Sequence, residues 1–323
     1  MTSEMRAIAM GVHVLDVLVR PVEAIPEGQG GQLVEQIRAT AAGSAGGTAI
    51  TLSKLGASVS SAGAIGTDAL GDLLVALLQR DGVDTSLLLR RDDVQTSASV
   101  LPIRPDGSRP AFHVVGANGT YTAEDAPWEA IERATHIHLG GPEFMGGESA
   151  ARILERARSG QVVTSADVLA PGDPGLLEWI APALPHLDFL LPNDDQVLGF
   201  TGEQDLVAGC RALIGRGVSC VAATCGAEGA VVVDGQSVHR VPAFSVDVVD
   251  TTGCGDAFSA GFLRGVGLGR TPPQAAVLGC AAAAFVAQGL GSDYGEFDLD
   301  QVEALAAAGD QKVAGAPERA TGA

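Results

Sequence analysis

Two kinds of apolar pattern alternate along this chain. The first is a short unbroken run. "AIAMGVHVLDVLV" (7–19), flanked by Arg6 and Arg20, has the pattern of a strand buried on both faces. Similar strand-like runs follow at 59–68, 135–141, 161–169, 187–193, 220–226 and 229–235. The second kind places apolar residues at helical spacing, as in "GGTAITLSKLG" (46–56), "ALGDLLVALLQRDG" (69–82), "GESAARILERARSG" (147–160), "DPGLLEWIAPAL" (173–184) and "EQDLVAGCRALIGRG" (203–217). Strand and helix in turn predict an α/β fold, a largely parallel central sheet between two helical layers.

Two stretches break the rhythm. Residues 17–40 read as irregular or edge-strand material, and 96–117 as two strands joined by a turn at "RPDGS" (104–108). Both are expected to form a small β-rich lid inserted into the α/β body. The body then comprises 1–16, 41–95 and 118–308, and "GDQKVAGAPERATGA" (309–323) reads as a flexible tail.

Charge narrows the partners. A formal net charge of −19 over 323 residues argues against nucleic acid and against an anionic membrane surface. It leaves room for a phosphate ligand, because backbone N–H groups at a helix start hold anions without basic side chains. Only Lys54 and Lys312 are lysines, and no G-x-x-x-x-G-K-[ST] exists, which excludes a P-loop. The five cysteines are odd in number and lack metal spacing, so they read as reduced thiols. Asp16 interrupts the first apolar run and no basic segment precedes it, so no signal peptide is expected and the expected location is cytoplasmic. The longest apolar run, "AAVLGCAAAAFVA" (275–287), is too short to span a bilayer and reads as a buried helix.

The candidate chemistry lies in "VVDTTGCGDAFSAG" (248–261). A strand ending at Asp250, a glycine turn and a helix opening at Asp256 would aim free N–H groups and the positive end of a helix dipole at one point. Gly253 and Gly255 would let the backbone approach an anion closely. Asp256, kept ionised by the helix N-terminus, would accept a proton from a hydroxyl. An anion hole beside a base is what phosphoryl transfer to an alcohol requires. The same residues also fit an N-capping aspartate after a glycine turn, and the stretch alone does not choose between the two. Cys254 reads as a small turn residue rather than a nucleophile.

"DTTGCGDAF" (250–258) resembles the D-T-T-G-A-G-D-x-F signature of the ribokinase-like, or PfkB, family of sugar and nucleoside kinases. The resemblance extends over roughly residues 6–300. "GVHVLD" (11–16) is similar to the family's first-strand motif, and "AGGTAITLSKLGASVSSAGAIGTDALGDLL" (45–74) to its N-terminal signature. "LLPNDDQ" (190–196) resembles its P-N-x-x-E element, and "TCGAEGA" (224–230) the strand–turn against the nucleotide.

The resemblance implies a role for each matching position. Asp256 becomes the catalytic base, and Gly253, Cys254 and Gly255 the anion hole. Asp16, Gly46 and Gly47 bind the acceptor, with Thr51 at the position of a family asparagine. Glu143 lies where family members contact substrate, although a solvated loop carboxylate fits it equally. Thr224, Gly226 and Gly229 line the ATP site, Asn193 organises Mg²⁺, and Asp250 with Thr252 matches a loop that often holds K⁺. Val14 and Thr51 replace expected polar contacts, and Gln196 replaces a metal-region glutamate, with Asp194 and Asp195 beside it.

The implied activity is transfer of the ATP γ-phosphate to a hydroxyl of a small sugar, in a homodimer paired through its lids. A nucleoside acceptor, seated against Val14, Phe112 and Val114, is the alternative within the family. A catalytically silent sugar-binding regulator is the alternative outside catalysis.

Overall fold

The apolar run at 7–19 folds as two strands, not one. In the computed structural model, which describes residues 4–313 apart from 106, β1 (Arg6–Gly11) ends and β2 (Val14–Arg20) begins in a different sheet. The break has a local cause. Gly11 adopts φ +122°, and a Cβ there would stand 2.2 Å from Gly140 O. The carboxamide of Asn118 then fixes the turn, accepting from His13 N–H at 3.1 Å and donating to His13 O at 3.0 Å. The lid therefore starts at Val14 rather than 17, and Asp16 rides on the lid.

The remaining strands are β3 (Gln36–Ala42), β4 (Ser58–Gly66), β5 (Asp84–Arg91), β6 (Ala98–Pro102), β7 (Phe112–Val114), β8 (His136–Gly140), β9 (Val163–Asp167), β10 (Phe189–Leu190), β11 (Cys220–Thr224), β12 (Ala230–Asp234) and β13 (Val238–Val241). Nine of them form one sheet in the order β13-β12-β11-β10-β9-β8-β1-β4-β5. Every pairing from β11 to β5 is parallel, and only the two edge pairings, β11 with β12 and β12 with β13, are antiparallel. The small sheet has the order β3-β2-β6-β7.

Alternation along β1 feeds two cores. Ile8 and Met10 face one side, with Ile153 and Leu154 of the Gly147–Ser159 helix, Phe200 of Asp194–Thr201 and Leu213 of Leu206–Gly215. Ala7 and Ala9 face the other, with Ile50 of the Ser44–Lys54 helix, Leu74 of Ala69–Arg80, Phe258 and Phe262 of Cys254–Gly267, and Ala275 of Pro272–Val286. Each fully buried Leu, Ile or Phe contributes about 1.5–3 kcal/mol of transfer free energy to these layers. The alanine-rich run at 275–287 is the buried helix expected, opened by a Thr271–Gln274 capping box.

Three expectations are corrected. Residues 248–250 form no strand; they reach the glycine turn as extended loop. β5 and β13 were not legible as strands, because half-exposed edge strands carry short, mixed patterns. A helix at Leu299–Val313 also runs into the stretch read as a tail, and 314–323 lie outside the described residues. No helix among the described residues is long and apolar enough to cross a membrane.

Candidate active site

The site forms beyond the carboxyl ends of β1, β8 and β9, where Gly11, Gly140 and Asp167 stand in register. That crevice is where ligands bind in open α/β sheets. Two helix N-termini meet beside it, those of Ser44–Lys54 and Cys254–Gly267. They touch through Gly47, where a Cβ would stand 2.2 Å from Asp256 Oδ2, and through the Thr48 hydroxyl, which donates to Asp256 O at 3.3 Å.

Gly253 is the N-cap of the Cys254–Gly267 helix at φ +80°, and a Cβ on it would stand 2.4 Å from Ser292 Cα. Its glycine is required by the turn. Gly255 differs: a Cβ there would meet nothing within 4 Å, so its bareness leaves open space before the helix. The first intrahelical bond is Ala257 N–H to Gly253 O at 2.9 Å. Cys254 N–H closes a turn on Thr251 O at 3.2 Å, which removes it from the expected set of free donors. The N–H groups of Gly253, Gly255 and Asp256 have no hydrogen-bond partner among the described residues. The amides left free at the turn are thus those of Gly253, Gly255 and Asp256, with Cys254 withdrawn from the set the motif suggested. The Cys254 thiol points to Ala283 O, and burial pushes it up to about 12, so it is no nucleophile.

Asp256 is the third residue of that helix. Burial, then the carboxylates of Asp167 and Asp16, hold its carboxyl well above the usual range. The sequence suggested a helix terminus keeping it ionised. Desolvation and like charges outweigh that effect and raise its proton affinity instead. Asp16, only 7 % exposed, pairs across the lid with Thr40 and Ser99. Burial pushes it to about 6 against a hydrogen bond from Ser99 and the charge of Arg109. Gly46 lies against the His13 ring, while the buried Thr51 hydroxyl has no partner among the described residues.

The family model described as pfkB family carbohydrate kinase matches residues 11–296. The chain belongs to the pfkB family of carbohydrate kinases. An ATP-dependent ribose-1-phosphate kinase of Halopiger xanaduensis is 30 % identical over 258 residues, covering 80 % of this chain and 83 % of that protein. Among solved structures, a putative ribokinase from Agrobacterium tumefaciens superposes with a TM-score of 0.85 at 22 % identity, over 96 % of this chain and 99 % of that one. A putative ribokinase II from E. coli, solved in complex with ATP and Mg²⁺, gives 0.79 at 19 % identity, over 94 % and 98 % of the two chains. The fold is ribokinase-like.

At the ends of β10 and β11, Asn193 and Thr224 meet in an isolated parallel bridge, with Thr224 N–H on Pro192 O at 3.0 Å. Gly226 is exposed in the following turn. Gly229 is not a lining residue: it is buried, and a Cβ there would stand 2.0 Å from Val241 O, so it serves the approach of β12 to β13. Asn193 and Asp195 are exposed at a cavity of about 380 Å³, also lined by Leu169, Pro171, Gly172 and Gln196.

Gln196 faces inward. Its Nε2 donates to Val168 O at 2.8 Å and Ala170 O at 3.0 Å, and its Oε1 accepts from Asn193 N–H at 2.9 Å. Glu143 grips the same segment through Oε1, which accepts from Leu169 N–H at 2.8 Å and Ala170 N–H at 2.9 Å. It is neither solvated nor open to a substrate at that oxygen. Burial and Asp167 raise its proton affinity against these bonds. Asp167, which by its place at a strand end could join a Mg²⁺ water network or cap the next loop, has Oδ1 buried without a partner among the described residues, and Oδ2 lies 3.6 Å from His138 Nε2.

Asp250 and Thr252 do not fit K⁺. The Asp250 carboxylate already accepts from Thr252 N–H, the Thr252 hydroxyl, Gly291 N–H and Arg109. Nor do Phe112 and Val114 make a nucleobase slot. In register with Val100 and Ala98, they share the outer face of the lid sheet, opposite Asp16, Ser99 and His113.

Proposed function

We propose that this kinase transfers the γ-phosphate of ATP to a hydroxyl of a small sugar, with Asp256 as general base. One observation carries the reading: a single turn at a helix start pairs the unpartnered amides of Gly253, Gly255 and Asp256 with a carboxyl of raised proton affinity. Amides aimed at a developing anion act as electrostatic stabilisers, and a base whose pKa approaches the working pH accepts a proton most effectively.

Asp16, on the underside of the lid, would accept from the sugar hydroxyls and turn one of them towards Asp256. As the acceptor oxygen bonds to the γ-phosphorus, the bond to the β–γ bridging oxygen breaks and ADP leaves. Asp256 takes the hydroxyl proton, and the Gly253, Gly255 and Asp256 amides hold the equatorial oxygens. Mg²⁺ would supply positive charge to offset that of the phosphates. Asp195, exposed at that cavity, suits a hard ion held partly through water, with Asn193 Oδ1 beside it already accepting from Gln196 N–H at 2.8 Å. The E. coli structural relative in complex with ATP and Mg²⁺ supports this choice of cofactor.

The outer lid face, with Ile37 66 %, Phe112 60 % and Val100 44 % exposed, would pair with a second copy. ADP release across a panel of free sugars, sugar phosphates and nucleosides tests the proposal. Turnover on a sugar supports it, turnover on nucleosides alone reassigns the acceptor, and ligand binding without turnover makes the protein a silent binder.

A further inference from the structure

We infer that Arg109 is a built-in cation of the transfer site, standing where the family resemblance would place a monovalent metal ion. Asp250 is 7 % exposed, and its Oδ1 receives Arg109 Nη1 at 2.8 Å, Thr252 N–H at 3.1 Å and the Thr252 hydroxyl at 2.9 Å. Oδ2 receives Gly291 N–H at 3.1 Å. Three donors thus crowd the two lone pairs of Oδ1, and Oδ2 keeps one of its two. Arg109 Nη1 also donates to the Thr251 hydroxyl at 2.9 Å, while the Thr252 hydroxyl spends its proton on Asp250. A metal ion here would have to displace the guanidinium.

The neighbouring loop repeats the pattern. Lys54 Nζ sits among the carbonyls of Asp293 at 2.7 Å, Tyr294 at 3.4 Å and Gly295 at 2.6 Å, just beyond the Gly291 that holds Asp250. Backbone oxygens of the kind that coordinate a large monovalent cation are satisfied there by an ammonium group. Arg109 thus serves the 250–251 segment and Lys54 the 293–295 segment, which the Gly291–Asp250 hydrogen bond joins.

Arg109 also changes when the charge is present. It belongs to the lid segment between β6 and β7, whereas Asp250 belongs to the body. Asp250 lies a few residues before the cradle of Gly253, Gly255 and Asp256 amides, where phosphate oxygens must collect. With the lid in place its charge is neutralised, and the cradle presents only donors. With the lid away, an uncompensated carboxylate stands beside the cradle and repels the phosphoryl group. A guanidinium stays charged at every working pH, so this compensation depends on geometry alone. Arg109 is thus a positioning residue that ties charge balance to lid closure.

The inference rests on the proposed kinase site, so the test has one arm that needs no turnover. Parent, Arg109→Ala and Arg109→Lys are compared in KCl and in choline chloride at equal ionic strength. Turnover of the parent is expected to be the same in both salts. Arg109→Ala should lose roughly 10- to 100-fold in choline and recover part of it in KCl. Arg109→Lys, which keeps the charge, should hold most of the parent turnover in either salt. In the second arm, KCl should raise the Tm of Arg109→Ala above its value in choline, and leave the parent unmoved, because only the variant has an open site. Activation of the parent by K⁺, or an Arg109→Ala protein indifferent to K⁺ in both turnover and melting, overturns the assignment. The melting arm stands whichever acceptor the enzyme takes.

Discussion

The carboxylate of Asp256 occupies the space in which Gly47 would carry a side chain. A Cβ at 47 would lie 2.2 Å from Oδ2 and 2.8 Å from Asp256 Cβ, so rotating the carboxylate alone does not relieve the contact. Gly47→Ala is therefore expected to push the two helix N-termini apart. Overpacking of this kind costs about 1–3 kcal/mol, and misplacing the base removes most of its contribution, typically 10²–10⁴-fold. A kcat loss in that range with a modest drop in Tm is the expected outcome. A normal kcat in a folded Gly47→Ala protein would show that Asp256 need not hold this position.

Replacing the base itself should separate stability from function. Asp256 is buried near Asp167 and Asp16, which disfavour its ionised form. A carboxyl with a raised folded-state pKa favours the fold at low pH and opposes it as pH rises through that value. Asp256→Asn should abolish transfer, leave ATP affinity nearly intact, and melt higher than the parent at pH 8. Calorimetry at pH 8 alongside ADP release checks both halves.

The acceptor contact proposed for Asp16 would carry an acid limit. Its carboxyl is raised from 3.8 to about 6, so it loses its charge, and its capacity to accept two hydroxyls, as pH falls below about 6. The KM for the acceptor should climb there, while Asp16→Asn should show a high, pH-independent KM. The sign for stability is opposite. The folded protein holds this proton more tightly than the unfolded chain, so the contribution is complete below the unfolded value and is lost between 3.8 and about 6, about 3 kcal/mol in all. Asp16→Asn should therefore gain stability relative to the parent from pH 4 to pH 7, which matched denaturant titrations would detect.

Restoring the family glutamate at 196 should weaken the protein. Gln196 Nε2 donates to two carbonyls, Val168 O and Ala170 O, and an ionised glutamate would turn oxygen towards both. Each buried acceptor left unpaired costs about 1–3 kcal/mol. The Tm of Gln196→Glu should fall by several degrees at pH 8 and recover partly near pH 4, where the protonated acid donates once. A variant that melts with the parent at both pH values would rule out the clamp.

The lid face gives a simpler expectation. Phe112→Asp, on the outer face of β7, should convert a dimer to monomers in sedimentation experiments without disturbing Asp16, which lies on the other face. A parent already monomeric at high concentration would remove the proposed pairing.

The order of elements was legible in the chain because it is a local property. Parallel strands buried on both faces are continuous apolar runs, their helices carry a 3.6-residue period, and the turn at 250–256 needs a glycine at φ +80° in Gly253. The same locality let the motif residues name the family. What the sequence could not settle are relations between residues far apart: Arg109 on Asp250, Asp16 and Asp167 around Asp256, and Gln196 on Val168 and Ala170. Whether a carboxyl is ionised, whether an amide is free, and whether a cation site is already filled depend on desolvation and on the partners that folding brings within 3 Å. Neighbours in sequence do not fix those partners, so the chemistry at the glycine turn was decided by the tertiary structure.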